Sequence, residues 1–169
     1  ATAVATGTEY YATTVAYYAN GAISGFRYGG LPTVTHAMTQ NARLLPAHSQ
    51  DLKTGTGAWT ILDDTYTYDA NGNVGAILDQ AQNVQRTLGY DGVDRLTSAI
   101  SDNLGTPTIP ADGPFGTAGY AYDPLDNLRS ADQGARQFRY NYDATWRLAT
   151  IKSPAGTTLY SFTHDARGN

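Results

Sequence analysis

The dipeptide Tyr-Asp recurs four times at close, near-regular spacing: Tyr68-Asp69, Tyr90-Asp91, Tyr122-Asp123 and Tyr142-Asp143. His164-Asp165 keeps the frame a fifth time. A unit that returns this often is too short to bury a core by itself and gains one only by stacking on its neighbours. The chain is therefore restricted to a repeat architecture before any other feature is weighed.

The copy at Thr65–Val74 shows what each repeat encodes. Tyr66 and Tyr68 alternate with Thr65 and Thr67, a period of two that puts both rings on one face of a strand. Tyr and Thr also suit a pleated, half-buried surface. Asp69 can turn its carboxylate onto backbone N–H groups just ahead of it. Asn71-Gly72 is a strong hairpin signal, because both residues accept positive φ. Val74 restarts an extended segment, so the unit reads as strand, tight turn, strand.

Anchoring on the Tyr68 position gives seven repeats across residues 1–169, with anchors at Tyr17, Met38, Tyr68, Tyr90, Tyr122, Tyr142 and His164. The spacings are 21, 30, 22, 32, 20 and 22. The two long intervals place loops near Asp51–Trp59 and Gly105–Gly119, both rich in Gly, Thr or Pro. Six residues after the anchor stand Ile23, Leu44, Val74, Leu96, Leu128 and Leu148, aliphatic as a shared buried face requires. Five after it stand Arg43, Arg95 and Arg147, or Asn73 and Asn127. Four after it stand Gly21, Gly72 and Gly168, or Asp94 and Asp126, which tolerate left-handed geometry. Trp146 occupies the same position, where a bulky residue is out of place, so a different turn is expected at Asp143–Arg147. Tyr120/Tyr122 and Tyr140/Tyr142 repeat the paired rings of Tyr66/Tyr68. Asp79–Arg86 has helix-compatible composition but falls where the repeat needs a strand-to-strand connection. The expected fold is all-β, a row of antiparallel hairpins.

Composition removes several function classes. The net charge is −4 and the 11 Lys and Arg are scattered, which leaves no footprint for nucleic acid or an anionic membrane. There is no cysteine, hence no disulfide and no thiol chemistry. No apolar run approaches the ~20 residues that span a bilayer, and Ala1–Thr8 has no signal-peptide pattern. Because the chain stops inside a motif, at Arg167-Gly168-Asn169, it reads as part of a longer polypeptide.

The pattern Tyr-x-Tyr-Asp-x-x-Gly-Asn/Arg-Leu, most complete at Tyr66–Val74 and repeated with Arg95-Leu96 and Arg147-Leu148, resembles the YD-repeat, or Rhs-repeat, family. Tyr17–Tyr28 also resembles its bacterial members. The resemblance implies a spiralling β-ribbon that closes into a hollow shell around a C-terminal toxin, or forms part of a surface adhesion protein in teneurin-like relatives. The implied partners are neighbouring repeats and an enclosed toxin of the same polypeptide. The implied location is secreted or at the cell surface. The autoproteolytic core that follows such repeats in the family has no match here; Asp123-Pro124 reads as a turn.

No enzyme is expected. His36, His48 and His164 lack metal-ligand spacing, and no metal or cofactor is called for. Asp69, Asp91, Asp123, Asp143 and Asp165 recur one per repeat, so repeated turn geometry explains them better than paired acid–base catalysis. The repeat-motif residues are thus Tyr66, Tyr68, Asp69, Gly72, Tyr90, Asp91, Arg95, Tyr120, Tyr122, Asp123, Tyr140, Tyr142, Asp143, Arg147, His164, Asp165 and Gly168, in a structural role. An alternative is a glycan- or protein-binding module that uses the tyrosine face.

Overall fold

A computed structural model describes residues 11–29, 31, 33–104 and 116–168. Residues 105–115 of the second expected loop lie outside the described residues, as do residues 1–10. The described chain is all-β. Its strands are β1 (Ala12–Tyr17), β2 (Ile23–Tyr28), β3 (Val34–Gln40), β4 (Pro46–Lys53), β5 (Trp59–Tyr68), β6 (Val74–Asp79), β7 (Val84–Tyr90), β8 (Leu96–Asn103), β9 (Thr117–Tyr122), β10 (Leu128–Gln133), β11 (Arg136–Tyr142), β12 (Leu148–Lys152) and β13 (Thr158–Ser161). Within each of the two units described below, strand order follows chain order, an antiparallel meander. Between Asp79 and Val84 runs a turn, not a helix; Asp79 Oδ1 accepts from Gln82 N at 2.9 Å.

The chain divides into two compact units, one of residues 1–67 and 77–83, the other of 68–76 and 84–169. In the first, β1 to β4 pair in succession and β4 pairs with β5. In the second, β7 to β13 pair in succession.

One geometric signature repeats. The anchor pairs with the residue six later, and the register then slips by one. The pairs are Tyr17↔Ile23, Tyr90↔Leu96, Tyr122↔Leu128 and Tyr142↔Leu148. Each slip is a β-bulge, which leaves a backbone group out of the ladder and increases local twist.

Two expectations need correction. The second repeat carries the signature at Gln40↔Pro46, so its anchor is Gln40, two residues beyond Met38. Its turn closes through Asn41 N to Leu45 O at 2.9 Å and Leu44 N to Asn41 O at 2.9 Å. Leu44 accordingly sits at the turn tip, at φ 63 and 60% exposed, and not on a buried face. The first expected loop is also shorter than Asp51–Trp59. Asp51–Lys53 belong to β4 and Trp59 opens β5, which leaves only residues 54–58 between them.

Paired residues share a face, and the two faces of the second unit differ. One row runs Tyr120↔Ala131↔Phe138 and another Tyr140↔Ile151↔Tyr160. On the opposite face lie Gln137↔Asp132 and Asn141↔Thr150↔Ser161. These rows of the first face are apolar and aromatic and those of the second polar, although the first face also carries Gln133↔Arg136. Burial is partial: among the described residues only Val34 and Ala131 are buried hydrophobics. Stability must come from strand pairing and cross-strand contacts, since there is little closed core to supply it.

Candidate functional site

The Tyr-Asp motif sits at one end of each hairpin, where three kinds of contact repeat. The first is the carboxylate on its own turn. Asp91 Oδ1 accepts from Val93 N and Arg95 N, both at 3.0 Å. Asp123 Oδ1 accepts from Leu125 N at 2.9 Å and Asn127 N at 3.0 Å. Asp143 Oδ1 accepts from Thr145 N at 2.7 Å and Arg147 N at 3.1 Å. Asp69 serves Gly72 N and Asn73 N, and Asp165 serves Arg167 N. A carboxylate facing backbone N–H groups in this way organises a turn.

Trp146 corrects the expectation of a different turn. Asp143 N donates to Arg147 O at 2.9 Å and Trp146 N to Asp143 O at 3.1 Å, the same closure as at Asp91–Arg95 and Asp123–Asn127. Trp146 takes φ 63 there, beside Asp94 at 64 and Asp126 at 66. Asp143 also accepts from Thr145 Oγ1, and this network outweighs the left-handed strain. The indole is 59% exposed, so it avoids crowding. Trp146→Gly is expected to raise stability by about 1 kcal/mol, visible as a higher melting temperature; a lower one would place the indole in packing that offsets its strain.

The second contact links neighbouring hairpins. Tyr90 Oη donates to Val74 O at 3.1 Å, Tyr122 Oη to Leu96 O at 3.0 Å and Tyr142 Oη to Leu128 O at 3.0 Å. His164 places Nε2 2.9 Å from Leu148 O, so imidazole takes the phenol's place as donor. At Leu96, Leu128 and Leu148 the accepting residue is the one just before a bulge. Burial raises the Tyr68 and Tyr142 phenols above their ordinary range. The hydroxyls of Tyr90, Tyr122 and Tyr142 are thus engaged between hairpins. Tyr66 Oη donates to Asp64, and Tyr120 Oη accepts from Gln133.

The third contact comes from the residue five after the anchor. Arg95 Nε binds Asp91 at 2.7 Å, while its Nη1 reaches Asp126 Oδ1 at 2.7 Å and Asp123 O at 3.0 Å in the next turn. Arg147 Nη1 reaches Asp165 O at 3.0 Å. Arg95 also lies over the Tyr122 ring, 4.9 Å from its centroid.

The first unit holds two polar clusters that sequence reading missed. Asp51 accepts from Tyr28 Oη at 2.9 Å and pairs with His36 Nδ1 at 2.7 Å; His36 stacks on Phe26. Asp63 pairs with His48 Nε2 and accepts from Gln50 Nε2 at 2.9 Å. Among the described residues no group of three or more His, Cys, Asp or Glu could hold a metal ion.

These carboxylates predict an acid response. The Asn73 side chain lowers the Asp69 pKa, the Thr145 hydroxyl that of Asp143 and the His48 ring that of Asp63. At Asp91 and Asp123 desolvation opposes the shift, but hydrogen bonds from Arg95 and Asn127 prevail. A depressed native pKa contributes stability above the unfolded value, which disappears as pH falls through the native one. Melting temperature is therefore expected to hold from pH 7 to about 5 and to fall steeply below about 4. A flat profile to pH 3 would mean the turn carboxylates contribute nothing.

Fold and turn geometry define a protein of repeated antiparallel hairpins. Residues 47–167 match the model of the Teneurin YD-shell family, and the chain belongs to that family. Two solved structures show the same fold. One is the Tc holotoxin pore of Photorhabdus luminescens with a mutated TccC3, at 15% identity and TM-score 0.59, over 93% of this chain and 11% of that one. The other is TcdB2-TccC3 without its hypervariable C-terminal region, at 18% identity and TM-score 0.63, over 91% and 8%. The chain thus spans about a tenth of the length of these relatives. No curated protein matches it. Among the described residues no helix is long and apolar enough to cross a membrane.

Proposed function

We propose that this chain is a stretch of shell wall that isolates a toxin-like polypeptide of the same protein until delivery outside the producing cell. The observation that carries it is the manner of stabilisation. The side-chain links from Tyr90, Tyr122, Tyr142 and His164 each join one hairpin to the one before it, and among the described residues closed core is nearly absent. Such a sheet is built to be extended by further repeats. The motif residues from Tyr66 to Gly168 act as joints of this wall, with the seven repeats as its courses.

The test is limited proteolysis of the full polypeptide that carries this segment, with fragments mapped by mass spectrometry. Enclosure predicts that the part joined to the repeats resists protease in the native protein and is cut once Tyr122→Ala and Tyr142→Ala are introduced. Equal cutting in both proteins would remove the encapsulation reading and leave only the fold.

A further inference from the structure

We propose that the residue five after one anchor and the residue four after the next form a recognition pair that decides which hairpins can lie side by side. The inference stands on the second unit alone and does not need the enclosure reading.

Position four takes a left-handed backbone, which Gly adopts freely and Asp does not. Asp94 and Asp126 nevertheless occupy it, at φ 64 and 66. Nothing within their own turns calls for a carboxylate there, because Asp91 and Asp123 already hold the turn N–H groups. The reason lies in the preceding hairpin. Asn73 Nδ2 donates to Asp94 Oδ1 at 2.7 Å, and Asn71 Nδ2 donates to the same oxygen at 2.8 Å. Arg95 Nη1 donates to Asp126 Oδ1 at 2.7 Å. Each Asp accepts from position five of the hairpin before it.

The remaining junctions vary in the way such a pair requires. Asn127 bonds the carboxylate of its own Asp123, and the residue facing it in the next turn is Trp146, which offers no acceptor. Arg147 faces Gly168, and a Cβ there would lie 3.4 Å from the Arg147 Cζ and Nη2. The guanidinium thus fills the space that a side chain would take, and bonds the Asp165 carbonyl instead. Amide or guanidinium meets carboxylate, guanidinium meets bare backbone, or the link is missing. Local turn chemistry alone would not produce this correlation between residues 21 and 31 apart.

Two double-mutant cycles on the chain, read by urea unfolding, test the pair. The first combines Arg95→Ala with Asp126→Gly. The second builds a pair where none exists, combining Asn127→Arg with Trp146→Asp. Every introduced residue already occupies the same position in another hairpin (Ala22, Gly72, Arg95, Asp94), so the turn accommodates it. In the first cycle the two single losses should not add: the pair should show a coupling of about two- to fivefold in the folding constant, the size of an exposed ion pair. In the second, the double variant should exceed the product of the singles by a similar factor, and both couplings should shrink at high salt. Additive behaviour in either cycle overturns the proposal.

Discussion

Gly72→Val lowers stability by about 2 kcal/mol, while Ala70→Val, two residues away in the same turn, changes it by about 0.5 kcal/mol or less. Gly72 sits at φ 101, where a β-branched side chain clashes with its own backbone. Ala70 is not among the positive-φ residues. The strain cannot be relieved locally. Gly72 N donates both to Asp69 O at 3.3 Å and to Asp69 Oδ1 at 2.9 Å, so relaxing φ breaks the turn closure and loosens the carboxylate together. Gly72→Asn should cost under about half as much as the valine, because Asn tolerates the left-handed region. Urea unfolding followed by circular dichroism checks the order. Equal losses for Gly72→Val and Ala70→Val would mean that the turn does not depend on left-handed geometry at this residue.

The turn at Gly72 also marks how far the sequence could be read. Alternating Tyr and Thr before it and Asn-Gly within it are local signals, and local signals gave the strands, the turns and the all-β class. The second repeat failed because its turn former is Asn41 and not Asp. Asn41 Oδ1 accepts from Arg43 N at 2.8 Å and Leu45 N at 3.1 Å, the same two-and-four pattern that Asp91 makes. Arg43-Leu44 copied the sequence motif two residues out of phase and drew the anchor to Met38. Attention to every Asx residue, and not only Asp after Tyr, would have found it. At Trp146 the reason is energetic: residue preference at one position is outweighed by the hydrogen bonds on Asp143, which a local pattern does not show. The links between hairpins were illegible because their partners lie far apart along the chain, such as Tyr122 with Leu96 and Arg95 with Asp126. Periodicity shows that such positions recur, but not which atoms meet. The Tyr28, His36 and Asp51 cluster is hidden in the same way, by strand pairing that brings Phe26 opposite His36 and His36 opposite Asp51.

Tyr122 separates the hydroxyl of the anchor from its ring. Tyr122→Phe removes the donor to Leu96 O and is expected to cost about 1 kcal/mol. Water can replace part of that bond, because the contact is only partly buried. Tyr122→Ala also removes the ring, its half-buried surface and its place under the Arg95 guanidinium. The total loss should reach about 3 kcal/mol. It should extend beyond its own hairpin, since Arg95 is also the link from the Asp91 turn to the Asp123–Asp126 turn. Amide exchange can localise that effect. Faster exchange at Arg95 and Asp126 in the alanine variant, with the phenylalanine variant near wild type at those positions, is the expected pattern. If the two variants lose the same stability, the hydroxyl alone joins the hairpins and the ring contributes nothing to the sheet.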